Sequence, residues 1–483
     1  MQQKTELTKN TLILAFGKVC TQLISFILLP LYTFFLTPAE YGTVDLIVTY
    51  IVLFVPAVTM QLETAAFRFL VDVRNDEEAK RVTISNIMQM IVVVQAVCLV
   101  LFGIVELFVD IPYAPLVIIT IMATIMANVF LQFARGFGDN KKFAVASIVT
   151  GVVTFVGAIT FIVGMKLGAS GMLLSMALAH IACTVYLGFT LKMHRYIRLT
   201  GRDTALQKRL LAYSFPLVPN GISWWVINVS DRTIISVVLG VAANGIYAVA
   251  NKYAAIFTSV FSVFHMSWTE SASVHIHDKN RDAFFSDIMN TSLRVFGTLA
   301  LGLVALIPWA FNLIVGAQYN DAYHYIPILI LAALFNAIVS MYGSIYIAKK
   351  LTKQVAYTSL FSAAINITLT IIGVHFFGLF AAAAATVVAY MAMSVYRHYD
   401  VKRYVTIRYN KRMLSSLVTL GAVVITLYYV NTPAGNAASL LIVLVCGYWL
   451  NASVIVNLKD TLLQMTRRRK RLTPEQEVYE DVI

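Results

Sequence analysis

Three cations and a carboxylate stand inside long apolar stretches of this chain: Lys18, Asp231, Arg232 and Lys252. A charge at the centre of a membrane helix costs about 2.5–3.5 kcal/mol on insertion scales, so such groups face a watery cavity or a partner. Fixed ammonium and guanidinium groups suit an anion of the phosphate type, which accepts charge-assisted hydrogen bonds from both. Asp231 and Arg232 are adjacent, and neighbours in sequence point about 100° apart on a helix, so Asp231 cannot satisfy Arg232 by itself. Two arrangements stay open. In one, Lys18, Arg232 and Lys252 line a common cavity. In the other, Asp231 pairs with Lys252 and ties two successive helices, while Arg232 extends along its stem to the interface. Lys18 has a candidate partner in Glu63.

The elements that must position these charges follow from composition. Of 483 residues, 59% are hydrophobic and 13% charged, far from the soluble range of roughly half apolar and a quarter charged. Fourteen apolar runs are each long enough for the about 20 residues that a bilayer-spanning helix needs: 11–35, 42–65, 83–107, 113–134, 143–165, 170–192, 214–240, 243–268, 292–315, 324–348, 355–376, 378–396, 413–431 and 437–458. They are continuous rather than alternating, which excludes a transmembrane β-barrel, so the expected fold class is an all-α integral membrane protein of about 14 helices. The first run is too long for a signal-peptide core and is expected to stay as a helix. Cys20, Cys98, Cys183 and Cys446 fall inside runs, behave as small apolar residues and suggest neither disulfides nor a metal site.

A net charge of +13 could indicate nucleic acid, but 33 of the 37 Lys and Arg fall in alternate loops and the two terminal segments. That is the positive-inside pattern, which puts both termini in the cytoplasm and gives the 461–483 tail, with its "TRRRKR", to anionic headgroups. No nucleic-acid partner is needed. The predicted outer connections are short, and the longest inner ones, 192–213 and 269–294, hold no phosphate loop or spaced carboxylates. An enzyme is therefore not expected, nor is any cofactor. Segment 271–290 is mixed in polarity and expected to lie along the cytoplasmic interface.

A shift of 203 residues lays "LTPAEYGTVDLIVTYIVLF" (36–54) over "LGVAANGIYAVANKYAAIF" (239–257), so that Leu36, Ala39, Gly42, Tyr50 and Phe54 meet Leu239, Ala242, Gly245, Tyr253 and Phe257. Six runs is an even number, so the repeats are parallel, with the path for a substrate between them. The expected domains are an N-terminal six-helix lobe (1–195), a C-terminal six-helix lobe (196–412), two extra helices (413–460) and the basic tail (461–483).

From about residue 8 to 460 the chain resembles the polysaccharide transporters of the MOP (multidrug/oligosaccharidyl-lipid/polysaccharide) flippase superfamily, including Wzx-type oligosaccharide flippases. The resemblance is carried by "LTPAEYGTVDL" (36–46), "QFARGFGDNKKFA" (132–144), "YSFPLVPNGISWWVINVSDRTIISVVLG" (213–240) and "ANGIYAVANKYAAI" (243–256). It implies a central cavity that opens alternately to each side of a bacterial cytoplasmic membrane. The implied cargo is an undecaprenyl-pyrophosphate-linked glycan moved from the inner to the outer leaflet for cell-surface polysaccharide assembly. Membrane lipids are implied partners, and a polysaccharide polymerase and glycosyltransferases are compatible ones. On that reading Lys18, Arg232 and Lys252 hold the pyrophosphate, with Asp231, Asn220, Trp224, Asn228 and Asn251 as polar or aromatic support. Asn366 and Trp225 are further candidates, against interhelical hydrogen bonding and packing. His180 and His265 are candidate proton sites or packed histidines, and Pro30, Pro56, Pro216 and Pro219 mark kinks. The competing expectation is a multidrug or metabolite cation antiporter, which would display unpaired membrane carboxylates.

Overall fold

A computed structural model describes residues 24–198 and 201–469, the side chains of 219–228, 352, 455 and 457–469 excepted. Lys18 lies outside the described residues, as do the side chains of Asn220, Trp224, Trp225 and Asn228. Every regular element among the described residues is helical. The first seven are α1 (Ile24–Phe35), α2 (Pro38–Val58), α3 (Leu62–Asp72), α4 (Glu77–Glu106), α5 (Ala114–Gly136), α6 (Asn140–Ala158, continued by a π-helical turn Ile159–Gly164) and α7 (Gly168–Thr190). After α8 (Thr204–Ser214) come α9 (Val218–Val238), α10 (Val241–His275), α11 (Arg281–Ile314), α12 (Ala322–Ala348), α13 (Thr352–Phe377), α14 (Leu379–Val401), α15 (Lys411–Val430) and α16 (Pro433–Arg469).

Twelve of these helices are long and apolar enough to cross a membrane. The described part of α1 and the whole of α9 account for the other two of the fourteen apolar runs. The protein is a multi-span helical membrane protein, with side chains such as Trp449 (75% exposed) and Leu444 (60%) turned outward on α16 as lipid contact requires.

Local chemistry sets the ends of the helices. Thr37 and Glu40 form a capping box at the start of α2, with Pro38 as first helical residue. Asp76, Asp139, Asp203 and Asn410 cap α4, α6, α8 and α15 with side-chain oxygens. Between α9 and α10 the chain reverses at Gly240 with φ +91°, a conformation that a side chain would strain.

Three expectations need correction. Run 42–65 is broken: past Pro56 the chain leaves the helix, Met60 and Gln61 take left-handed φ, and α3 starts afresh at Leu62. Segment 271–290 is no interfacial helix; its ends belong to α10 and α11, joined by a short turn. Arg397, counted with the basic loop 397–412, is 2% exposed inside α14.

The helices pack in two groups, called lobes below. In the first, α7 packs on α5 and α6; in the second, α12 packs on α10 and α14, and α13 on α14 and α9, while α15 and α16 lie against α11. Both lobes end in the same local device. After α7, Ser85 of α4 donates to the Tyr196 carbonyl (2.7 Å) and accepts from the Arg198 N–H (3.0 Å). After α14, Ser286 of α11 donates to the Thr406 carbonyl (3.4 Å) and accepts from the Arg408 N–H (2.9 Å). One turn on, Gln89 and Asn290 donate to the carbonyls of Arg198 and Arg408. Asn side chains at Asn86 and Asn290 then receive the N–H of the next cap, Asp203 or Asn410, each at 2.9 Å.

Alternation of the helices puts the α1–α2, α9–α10 and α11–α12 turns on one face of the bundle, the first face below, and the two exit devices on the opposite, second face.

Candidate functional site

The two lobes meet at the first face, and backbone does much of the meeting. A Cβ on Gly42 would stand 1.9 Å from the Val241 carbonyl oxygen, and one on Gly245 2.0 Å from that of Pro38. α2 and α10 therefore cross with no side chain between them, the small-residue packing through which membrane helices approach closely. The two glycines are the pair that the 203-residue shift superimposes. Around them Asn244 donates to the Gly42 carbonyl (3.0 Å), Thr33 to that of Ile314 (3.0 Å) and the buried Tyr319 hydroxyl to that of Leu36 (3.1 Å).

Seven residues into α2, Asp45 carries a carboxylate toward the second lobe. Arg232 of α9 donates from Nη1 to both Asp45 oxygens (2.7 and 2.8 Å) and reaches the Thr49 hydroxyl at 3.3 Å. It is the one ion pair between the lobes among the described residues. Asp231, the neighbouring residue, accepts from the Tyr247 hydroxyl (2.8 Å) and from the Arg232 backbone N–H (3.1 Å). Lys252 is half-buried on α10 and within the electrostatic reach of Asp45 and Arg232, without a hydrogen bond or ion pair among the described residues.

Behind this pair, within the second lobe, lies a cavity of about 360 Å³. Its wall combines Asp231, Arg232 and Tyr247 with Asn251, Asn366, Thr386 and Tyr390, on a floor of small residues from α10 and α12. Asn366 donates to Thr386 (3.1 Å), leaving its carbonyl oxygen buried and without a partner among the described residues. A volume of this kind, part polar and part apolar, suits a small polar group or several waters.

The structure thus brings Asp231, Arg232 and Asn251 to one cavity wall, whereas Lys252, expected to line the same cavity, is not among the residues of that wall. The Asp231–Lys252 pair is not formed, because the Tyr247 hydroxyl occupies Asp231, and Arg232 turns to Asp45 instead of the membrane interface. Glu63 is buried and accepts from Thr59 at 2.7 Å. His265 is packed against Phe261 and lies 3.2 Å from both the Ser340 carbonyl and Ser344. Pro216 and Pro219 sit at the α8–α9 junction and the first turn of α9 rather than at a mid-helix kink.

Two residues were missed from sequence. Asp45 could have been found by depth: at 1.5 Å per residue it lies ~10 Å into α2, level with Arg232 below Gly240. Arg397 gave no comparable signal; its guanidinium donates to the Val339 carbonyl (2.8 Å) and to Thr358 (3.0 and 2.7 Å), and lies over the Tyr346 ring. It binds α14 to α12 and α13 without a carboxylate within ion-pair distance among the described residues.

This architecture is shared with solved transporters. An inward-facing multidrug resistance MATE family transporter of the MOP superfamily aligns with TM-score 0.68 at 12% identity, over 81% of this chain and 98% of its own. The lipid II flippase MurJ in an inward closed conformation gives 0.68 at 13%, over 91% and 99%. An outward-facing MATE family transporter gives 0.56 at 14%, over 85% and 96%. At such identities the likeness establishes the fold. No match was found among curated protein sequences. The profile described as "Polysaccharide biosynthesis protein" matches residues 7–269, more than half of the chain, and shows that this chain belongs to the polysaccharide biosynthesis protein family.

Proposed function

We propose that the protein is a flippase that moves an undecaprenyl-pyrophosphate-linked oligosaccharide repeat unit from the inner to the outer leaflet of a bacterial cytoplasmic membrane by alternating access. Family membership and a fold held in common with a lipid II flippase support a transporter of lipid-linked cargo. The observation that carries the finer reading is the Arg232 guanidinium, fixed inside the membrane span at the wall of a polar cavity, with the Lys252 ammonium nearby. Fixed cations of this kind lower the cost of taking a pyrophosphate out of water. Lys18 belongs to the same proposal by its depth in the first run. Sidedness follows from the Lys and Arg bias, which makes the first face the outer one and puts both termini in the cytoplasm. Outward movement of an anion down a negative-inside potential gains about 2.3 kcal/mol per charge per 100 mV, so the protein has chiefly to remove a barrier.

A cation antiporter is the second reading, and Asp231 is what favours it: a carboxylate at the cavity wall whose side-chain partner is a neutral tyrosine hydroxyl. The two readings separate in reconstituted liposomes. With a defined lipid-linked oligosaccharide, flipping should be fast in the parent and fall at least tenfold in Arg232→Ala and Lys252→Ala. Absence of flipping together with cation-driven dye export would overturn the flippase reading.

A further inference from the structure

Asp45 has no part in the cargo site as sequence defines it, yet it holds the guanidinium at the centre of that site. Only Nη1 of Arg232 is engaged, by Asp45 and Thr49; Nε and Nη2 have no hydrogen-bond partner among the described residues. A guanidinium offers five donors in a fixed fork, and this side chain remains 25% exposed, at the cavity wall. Arg232 is therefore both a wall group open to an incoming anion and the charged tie across the first-face seam. Elsewhere the seam is close backbone packing at Gly42 and Gly245 with neutral hydrogen bonds from Thr33, Asn244 and Tyr319, so Arg232 and Asp45 carry its one charged contact among the described residues. Asp45 is weakly held otherwise, with Asn244 Nδ2 at 3.4 Å.

We propose that Asp45 is a positioning residue that occupies Arg232 in place of the cargo's anionic headgroup, and that a headgroup entering the cavity takes over the guanidinium, releases Asp45 and lets α2 part from α9 and α10. A diphosphate carries more charge than a carboxylate and accepts two parallel N–H bonds, so it competes well for the fork. Lys252, within reach of Asp45, keeps the freed carboxylate from being left uncompensated. Arrival of cargo and opening of the first face then become one event, as coupling requires when a ligand favours one of two states. The inference rests on the flippase reading only for the nature of the anion.

The test uses the full chain in lipid nanodiscs, with Cys20, Cys98, Cys183 and Cys446 replaced by serine and a reporter Leu36→Cys at the seam, where Leu36 is 1% exposed. The rate of maleimide labelling is read with and without inorganic pyrophosphate, sulfate serving as control. Labelling should be slow in the parent, rise at least tenfold in Asp45→Asn, and rise with pyrophosphate in the parent but no further in Asp45→Asn. Asp45→Glu should stay slow and responsive. The swapped pair Asp45→Arg with Arg232→Asp should restore slow labelling, which a misfolded chain could not, and should ignore pyrophosphate. Slow labelling in Asp45→Asn, an equal response to pyrophosphate in parent and Asp45→Asn, or fast labelling in the swapped pair overturns the proposal. If pyrophosphate opens the seam while no lipid-linked oligosaccharide is flipped in liposomes, the exchange stands and the cargo assignment falls.

Discussion

At the second face the two lobes repeat one another; at the first-face seam they do not. The exit devices use the same kinds of group, a serine that accepts an N–H and faces a carbonyl, an amide that donates to a carbonyl and an asparagine that accepts the N–H of the next cap, although Asn290 alone does what Gln89 and Asn86 share and Ser286 also donates to the Asp282 carbonyl. The glycines of the seam match too. The charges break the symmetry: the 203-residue shift puts Ala248 where Asp45 stands and Leu29 where Arg232 stands, and both apolar counterparts are buried. Scaffold was kept in duplicate while the chemistry was written into one of two equivalent places. This ion pair between the lobes is thus no product of the repeat, and the position of Arg232 on the cavity wall points to a task that the scaffold alone does not perform.

The largest effect should come from the shared feature of the seam. Gly42→Val or Gly245→Val drives a side chain into a carbonyl that cannot move away, at a cost above the roughly 1–3 kcal/mol of ordinary overpacking. Either variant should abolish the sealed first face, seen as a longer distance between spin labels on α2 and α10. An unchanged distance would mean that the glycines are not what shapes the seam.

Second in size is the unshared feature. Asp45→Ala leaves a cation without its partner. Removing one member of a buried pair costs about 3–5 kcal/mol, and because Arg232 is 25% exposed beside a cavity the expected loss is about 2 kcal/mol. Arg232→Leu on that background should recover most of it, measured as thermal stability in one detergent. A lack of recovery would show that the pair is not an energetic unit.

Much of this was legible in one dimension. A span needs an apolar run, so the helical class and the membrane-embedded charges of α9 and α10 could be read directly. What escaped depends on contacts remote in sequence. Asp45 and Arg232 are 187 positions apart, and nothing local in "YGTVDLIVTY" distinguishes a carboxylate facing a second lobe from one facing water. Arg397 escaped for a related reason: next to a basic loop, a buried arginine and a solvated one look alike until the carbonyl and hydroxyls that receive it are known.

Smaller effects refine the comparison at the second face. Ser85→Ala and Ser286→Ala each remove a hydroxyl that both donates and accepts, at about 0.5–1.5 kcal/mol per bond. If the exits are equivalent, the two substitutions should lower stability alike, while Asn290→Ala should cost more than Gln89→Ala, because Asn290 also accepts from the Asn410 N–H, a task that falls to Asn86 in the first lobe. A twofold or greater disparity would show that the two exits are not equivalent.

The smallest effect is where the second face itself departs from the repeat. α6 begins at Asp139, which accepts from the Lys142 N–H and pairs with its ammonium at 2.8 Å, whereas α13 begins at Leu351 with no side-chain cap. Partial burial disfavours the Asp139 carboxylate, but the bonds from Lys142 outweigh it and hold its pKa below the ordinary value. A depressed folded pKa contributes stability that is present above the unfolded value, near 3.9, and is lost as pH falls through the folded one. Below about pH 4 the first-turn amides of α6 should therefore lose hydrogen-exchange protection relative to those of α13, after correction for intrinsic rates. Asp139→Ala should show the same loss at neutral pH, about 1 kcal/mol for a missing cap. Equal acid sensitivity at both helix starts would mean that the cap contributes nothing, and that the two lobes are alike at this end after all.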